Sequence, residues 1–330
     1  MNRRVAGLIV TVGFCVLFAL GAGSHAAEIK IALDSPPDPE QSGTYVWAKV
    51  FGDHLTTHGL KTTEFPRDAL GGEEEKLDQV SQGLLEVSMS DLAKAAQIEP
   101  FLFGFHLPYI FDSVAHMDKV LEKTDLMKRI NEGTTKKGVR VLALALVGDF
   151  GGLANTKRPV RVPADLKGLR IRAMDKAQTE YLQAWGASTV VIPWAEIYNS
   201  LQTGVADGYL NAAIVPVLFK HTDVIKHYSD IKYGASIRIA ICSEKWFSRL
   251  SDKDGKIVRE AIGKADAANR AWQLKVSKTG LETLEKTGVK IVRSTPQERT
   301  EFAKLVRPVY PRVVGPAVAE QFVKAADTQR

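Results

Sequence analysis

Six histidines, one cysteine and several charged clusters outside the first 27 residues could in principle do chemistry. His54 and His58 stand four apart on a segment with helical spacing, which can make a metal pair, but Leu55-Thr56-Thr57 between them supplies no acidic residue of the kind a metalloprotease helix needs. They read as two surface histidines. There is no Gly-x-Ser-x-Gly elbow, phosphate loop or Gly-x-Gly-x-x-Gly turn, and the glycines around Asp149-Phe150 are wrongly spaced for a dinucleotide. Glu73-Glu74-Glu75 follows Gly71-Gly72 as a helix start, where carboxylates suit the positive end of the helix dipole. Cys242 lies in an apolar run and reads as an inert buried thiol. The residues therefore point to no catalytic group, no metal and no cofactor. What remains is recognition chemistry. Arg170 and Arg172 flank Ile171 in a short strand, so both project from one face. A guanidinium near the carboxyl end of such a strand can form a salt bridge between lobes, lie solvated at the strand end, or hold a carboxylate through two parallel charge-assisted hydrogen bonds, and the residues alone favour the first two.

The elements that must position these groups alternate. Strands are expected over Glu28–Leu33, Lys61–Phe65, Leu85–Met89, Val139–Val147, Leu169–Arg172, Ser188–Ile192 and Ser236–Cys242. Helices are expected over Tyr45–Thr56, from Glu73 to Leu84, over Ala177–Trp185 and over Trp194–Thr203. From Glu244 to Thr287 the pattern is mostly helical with a break near Ser251–Gly255, and Thr295–Ala326 is helical with interruptions at Pro308 and Pro311. Such alternation predicts an α/β architecture with a largely parallel sheet.

The amino terminus has the layout of a secretory signal: Arg3-Arg4, an apolar run from Val5 to Leu20, then small residues with a cut near Ala26-Ala27. The run is shorter than the roughly 20 residues of a comfortable membrane anchor. Residues 1–27 are thus expected to be removed and the remainder to be periplasmic, with no membrane anchor of its own. About 300 residues remain, enough for two lobes. Loss of Arg3 and Arg4 takes the formal charge from +6 to +4. The basic residues are interspersed with acidic ones, which argues against nucleic acid. A single remaining cysteine excludes an internal disulfide.

One segment carries a specific pattern. Leu166-Lys167-Gly168-Leu169-Arg170-Ile171-Arg172 is followed by Gly186-Ala187, Pro193-Trp194-Ala195-Glu196-Ile197-Tyr198 and Leu201-Gln202-Thr203-Gly204-Val205-Ala206-Asp207-Gly208, then Asn211. In order and spacing it resembles the DctP-type solute-binding proteins of TRAP transporters. Ala69-Leu70-Gly71-Gly72-Glu73 and Phe105-His106-Leu107-Pro108-Tyr109-Ile110-Phe111 resemble two further family stretches, so the likeness covers essentially the whole chain after residue 27.

The resemblance implies a two-lobed periplasmic binding protein fold with a hinge and a long helix spanning both lobes. Lobe I would comprise 28–149 plus about 238–277, and lobe II 150–237 plus about 278–330. It implies a monomer that captures a small organic acid and hands it to a small and a large TRAP membrane subunit. By resemblance Arg172 binds the carboxylate, Trp194 walls the ligand, Asn211 contacts it and Glu73 reaches it from the helix entry. Two departures stand out: Gly151 or Gly152 replaces an additional arginine, and Tyr209 replaces a glutamine. With Gly151 and Tyr209 included among the ligand-facing positions, one anchoring charge points to a monocarboxylate with a polar or apolar body. A binding protein that feeds a sensor kinase, or an enzyme on the same fold, are the alternatives.

Overall fold

The computed structural model describes residues 28–330. The expected export segment 1–27, with its cut near Ala26-Ala27, lies outside the described residues. The strands are β1 (Ile29–Ala32), β2 (Thr62–Phe65), β3 (Val87–Ser90), β4 (Val139–Phe150), β5 (Gly152–Asn155), β6 (Arg170–Ala173), β7 (Ser188–Val191), β8 (Gly208–Asn211), β9 (His227–Asp230), β10 (Ala235–Ser243) and β11 (Lys290–Arg293). They form two sheets, ordered β2-β1-β3-β10-β4 and β11-β9-β5-β8-β6-β7. The α/β class holds, but each sheet is mixed rather than largely parallel. In the first, β10 runs antiparallel to both β3 and β4; in the second, β5 runs antiparallel to β8 and β9.

The antiparallel strands arise because the chain passes between the sheets. β4 ends at Phe150, and the chain continues through Gly151 directly into β5 of the other sheet. It returns from β9 through Ile231–Gly234 into β10. The two crossings are tied together: the Gly151 amide donates to the Gly234 carbonyl at 2.9 Å, and the Tyr233 amide donates to Gly151 at 3.0 Å.

The helix Gly43–Thr57 is capped by Ser42, whose hydroxyl accepts from the Tyr45 amide, and it buries Trp47, Ala48, Phe51 and Leu55 against the first sheet. The long helix Asp252–Glu285 has 34 residues, about 51 Å at 1.5 Å per residue. Its early turns pack on Gly43–Thr57 and β4, and its end reaches Val215–Leu218 and β11, so it touches elements of both sheets. Ala261 and Ala265 allow close approach, and buried Asn269 locks the register: its Nδ2 donates to the Gly43 and Leu146 carbonyls, and its Oδ1 accepts from the Leu146 amide. Among the described residues no helix is long and apolar enough to cross a membrane.

The carboxyl-terminal segment divides as its prolines require, into Pro296–Val306, a 3₁₀ turn Arg307–Val309, Tyr310–Val314 and Pro316–Thr328. Pro316–Thr328 packs on Val114–Lys123 and Pro100–His106, beside the first sheet. It does not stay with the second sheet, where 278–330 was expected. Phe322 sits edge-on to Phe105 at 5.0 Å, and this apolar contact accounts for the return. His54 is buried rather than exposed, with its ring 4.1 Å from that of His58.

Candidate functional site

In the first sheet β1 and β2 are parallel, as are β1 and β3. In the second β6 is parallel to both β7 and β8. The carboxyl ends of both parallel sets border one cleft, open to solvent. Asp34 and Ser35 follow β1, Arg67 follows β2 and Asp91 follows β3. From the other side Arg172 comes from the end of β6, Asn211 is the last residue of β8, and Trp194 follows β7. Side chains at strand ends point past the last ladder hydrogen bond into open space, which is why α/β sheets collect ligand groups there.

Arg172 is 6% exposed, yet among the described residues it makes no ion pair. Its Nε donates to the Ile192 carbonyl at 2.8 Å, which fixes the plane of the group and leaves the two terminal nitrogens unspent. Burial without a counter-ion pulls its pKa down to about 10, so it remains a cation at neutral pH. Arg170, two residues earlier on the same face, is exposed and bonds the Gly204 carbonyl. Strand alternation thus places both arginines as expected and burial separates their roles.

The Trp194 ring lies 5.9 Å from the Arg172 guanidinium carbon. It is held edge-on by Phe219 at 4.9 Å and Tyr209 at 5.6 Å. Tyr209 is fully buried behind Trp194, with its hydroxyl 2.9 Å from His221 Nδ1, and it does not line the cleft. The expectation that Tyr209 faces a ligand therefore fails; it buttresses the wall. Asn211 lines the cleft, with Oδ1 accepting from the Ala212 amide and Nδ2 unspent.

Glu73 borders an adjoining recess, but its carboxylate is consumed. It accepts from Arg238 at 2.5 Å and from the Asp91 amide at 3.0 Å, and Lys76 stands 3.7 Å away. Arg238 is the arginine that sequence inspection missed. It arrives on β10 and also binds Asp34 at 2.6 Å and Asp91 at 3.0 Å. The three carboxylates push its pKa up despite desolvation, and in return Arg238, with Lys76 and the Asp91 amide, holds Glu73 down at about 2. The available signal was a lone charge inside the apolar run Ile237–Cys242, where a partner is obligatory. The cleft thus holds two unlike arginines: Arg238 is neutralised by the protein and Arg172 is not. Arg67, at the edge, bonds the Asp34 carbonyl and pairs with Asp68 at 3.3 Å.

Gly151 does not line the cleft either, because both its backbone groups are used at the crossing. A Cβ there would come within 2.4 Å of the Tyr233 ring, which does line the cleft. Tyr233 fills the space into which a side chain at this position would project. Gly151→Ala is expected to cost about 1–3 kcal/mol, as overpacking does, and to lower the denaturant midpoint. An unchanged midpoint would show that Tyr233 yields freely.

Phe105, Leu210, Val215 and Ile237 complete an apolar lining, with His106 among them. His106 has its pKa lowered by burial. Among the described residues no group of three or more His, Cys, Asp or Glu side chains is placed to hold a metal ion. The arrangement can anchor one carboxylate, enclose an apolar or lightly polar body and offer a few neutral hydrogen bonds.

The family model described as bacterial extracellular solute-binding protein, family 7, matches residues 33–315. The 2,3-diketo-L-gulonate-binding periplasmic protein YiaO of Escherichia coli K12 is 27% identical over 286 residues, 85% of this chain and 83% of that protein. The C4-dicarboxylate-binding periplasmic protein DctP of Vibrio cholerae is 25% identical over 252 residues, 74% of each. A TRAP periplasmic solute-binding protein from Polaromonas sp. JS666, solved bound to D-erythronate, is similar at a TM-score of 0.81 and 26% identity, covering 90% of this chain and 98% of that one.

Proposed function

We propose, from the premise that the chain belongs to the bacterial extracellular solute-binding proteins of family 7, the TRAP-type binding proteins, that it captures a small monocarboxylate on Arg172 and releases it unchanged. One observation carries this reading: among the described residues Arg172 is a buried cation with no protein carboxylate, while Arg238, the half-buried arginine of the cleft, has three. One unspent charge matches one ligand charge; a second carboxylate would meet Asp34, Asp91 and Glu73, and among the described residues the remaining cation of the cleft, Arg67, is already paired with Asp68. Among the relatives, 2,3-diketo-L-gulonate and D-erythronate, the compounds named for two of them, each carry one carboxylate, whereas DctP of Vibrio cholerae is named for C4-dicarboxylates, so the choice between the two classes rests on the single unpaired guanidinium.

In this reading the lobes are built on the two sheets, and the crossings at Phe150–Gly152 and Asp230–Ala235 act as the hinge. The protein works in the periplasm after loss of its first 27 residues and delivers the acid to integral TRAP subunits. A panel of organic acids in thermal unfolding tests it. Monocarboxylates at about 100 times their Kd add about 2.7 kcal/mol and raise the midpoint by several degrees. Stabilisation by dicarboxylates alone would overturn the monocarboxylate reading, and conversion of the bound acid would overturn simple capture.

A further inference from the structure

Ser236 lines the cleft at the start of β10, two residues before Arg238. It is 6% exposed, and its hydroxyl has no hydrogen-bond partner among the described residues. Ser35, elsewhere in the same cleft, shows the usual arrangement: its hydroxyl is shared with Ser42 and Thr44. An unmatched buried hydroxyl is costly, and such groups persist where a partner arrives from outside the fold.

The surroundings specify what kind of partner. A Cβ at Gly151 would stand 3.2 Å from Ser236 Oγ and 2.4 Å from the Tyr233 ring, so the hydroxyl lies beside the glycine crossing and under Tyr233. On the other flank Gly152 pairs with Asn211, whose Nδ2 is unspent and which also lines the cleft. A hydroxyl that donates and accepts, and an amide that donates, therefore border the same glycine step. Neither carries charge, and the nearby lining is apolar through Tyr233 and Ile237. A ligand hydroxyl matches the hydrogen-bonding capacity of either group; a carboxylate would be desolvated there without a cation.

We propose that Ser236 is a specificity-determining residue that reads a hydroxyl on the body of the acid, so that the protein selects hydroxylated monocarboxylates over their unsubstituted counterparts. The proposal rests on the carboxylate reading of Arg172 and adds a second contact to it. It is tested by calorimetric titration of the full-length mature protein and of Ser236→Ala with butanoate and with 2-, 3- and 4-hydroxybutanoate. The wild type should prefer at least one hydroxybutanoate over butanoate by about tenfold, the scale of one hydrogen bond made in a buried site. Ser236→Ala should reduce that preference to within about twofold, with butanoate affinity and unfolding midpoint maintained. A preference that survives in Ser236→Ala, or its absence in the wild type, overturns the assignment of Ser236 and leaves Arg172 untouched. Failure of the wild type to bind any of the four acids overturns the carboxylate reading, and the assignment of Ser236 with it.

Discussion

Arg172→Ala is expected to weaken binding of an organic acid by at least about 100-fold, or about 3 kcal/mol, because the ligand carboxylate would enter a desolvated site without its counter-charge. The same change should leave the unliganded protein as stable as the wild type. Arg172 gives the fold one bond, from Nε to the Ile192 carbonyl, and its lowered pKa shows that burial of the charge is not repaid by a protein carboxylate. Loss of affinity without loss of stability separates a ligand anchor from a structural cation. Arg172→Lys should recover part of the binding, since an ammonium keeps the charge but not the planar fork. Calorimetric titration alongside denaturant unfolding reads both quantities. Affinity within tenfold of wild type would remove Arg172 from the site.

Much of this site was legible in the sequence. Alternation placed Arg170 and Arg172 on one face of a strand, and the family resemblance, not the strand position alone, singled out Arg172, which lines the cleft. Long elements with a strong period were equally legible: the helix expected at Tyr45–Thr56 spans Gly43–Thr57, and the strand expected at Val139–Val147 continues to Phe150. The four-residue strands β5, β8, β9 and β11 were not. Gly152 begins β5 and Gly208 begins β8, and glycine reads locally as a turn. Here it serves close backbone approach: a Cβ on Gly208 would lie 2.4 Å from the Ala154 carbonyl oxygen. The acidic partners of Arg238 escaped for a different reason. Asp34, Glu73 and Asp91 lie 204, 165 and 147 residues from it, a grouping created by topology and invisible to local pattern. Gly151 and Tyr209 misled in the same way, because sequence position gave no indication that Tyr233 and Trp194 stand between them and the cleft.

Arg238→Met should expose how much the fold depends on that grouping. Removing the guanidinium leaves three carboxylates facing one another, with Lys76 paired to Glu73 and close enough to act on Asp34, and breaking a buried pair from one side costs about 3–5 kcal/mol. The pH dependence gives the prediction its sign. In the wild type Glu73 is held down at about 2, below its ordinary 4.5. Its contribution to stability is present above that ordinary value and is lost as pH falls toward 2. In the variant burial and the neighbouring carboxylates raise its folded pKa above the unfolded one. The penalty is then full at neutral pH and shrinks as acid protonates the cluster. The gap between wild type and variant should therefore narrow on going from about pH 7 to about pH 4.5, as the wild type begins to lose stability while the variant regains it. Urea unfolding at both pH values measures the gap directly. A loss below about 1 kcal/mol at neutral pH, or one that does not change with pH, would mean that the carboxylates do not depend on Arg238 for their charge. The contrast with Arg172 is the physical content of the site. The cation that the fold neutralises should be expensive to remove in stability, and the cation it leaves unpaired should be expensive to remove only in affinity.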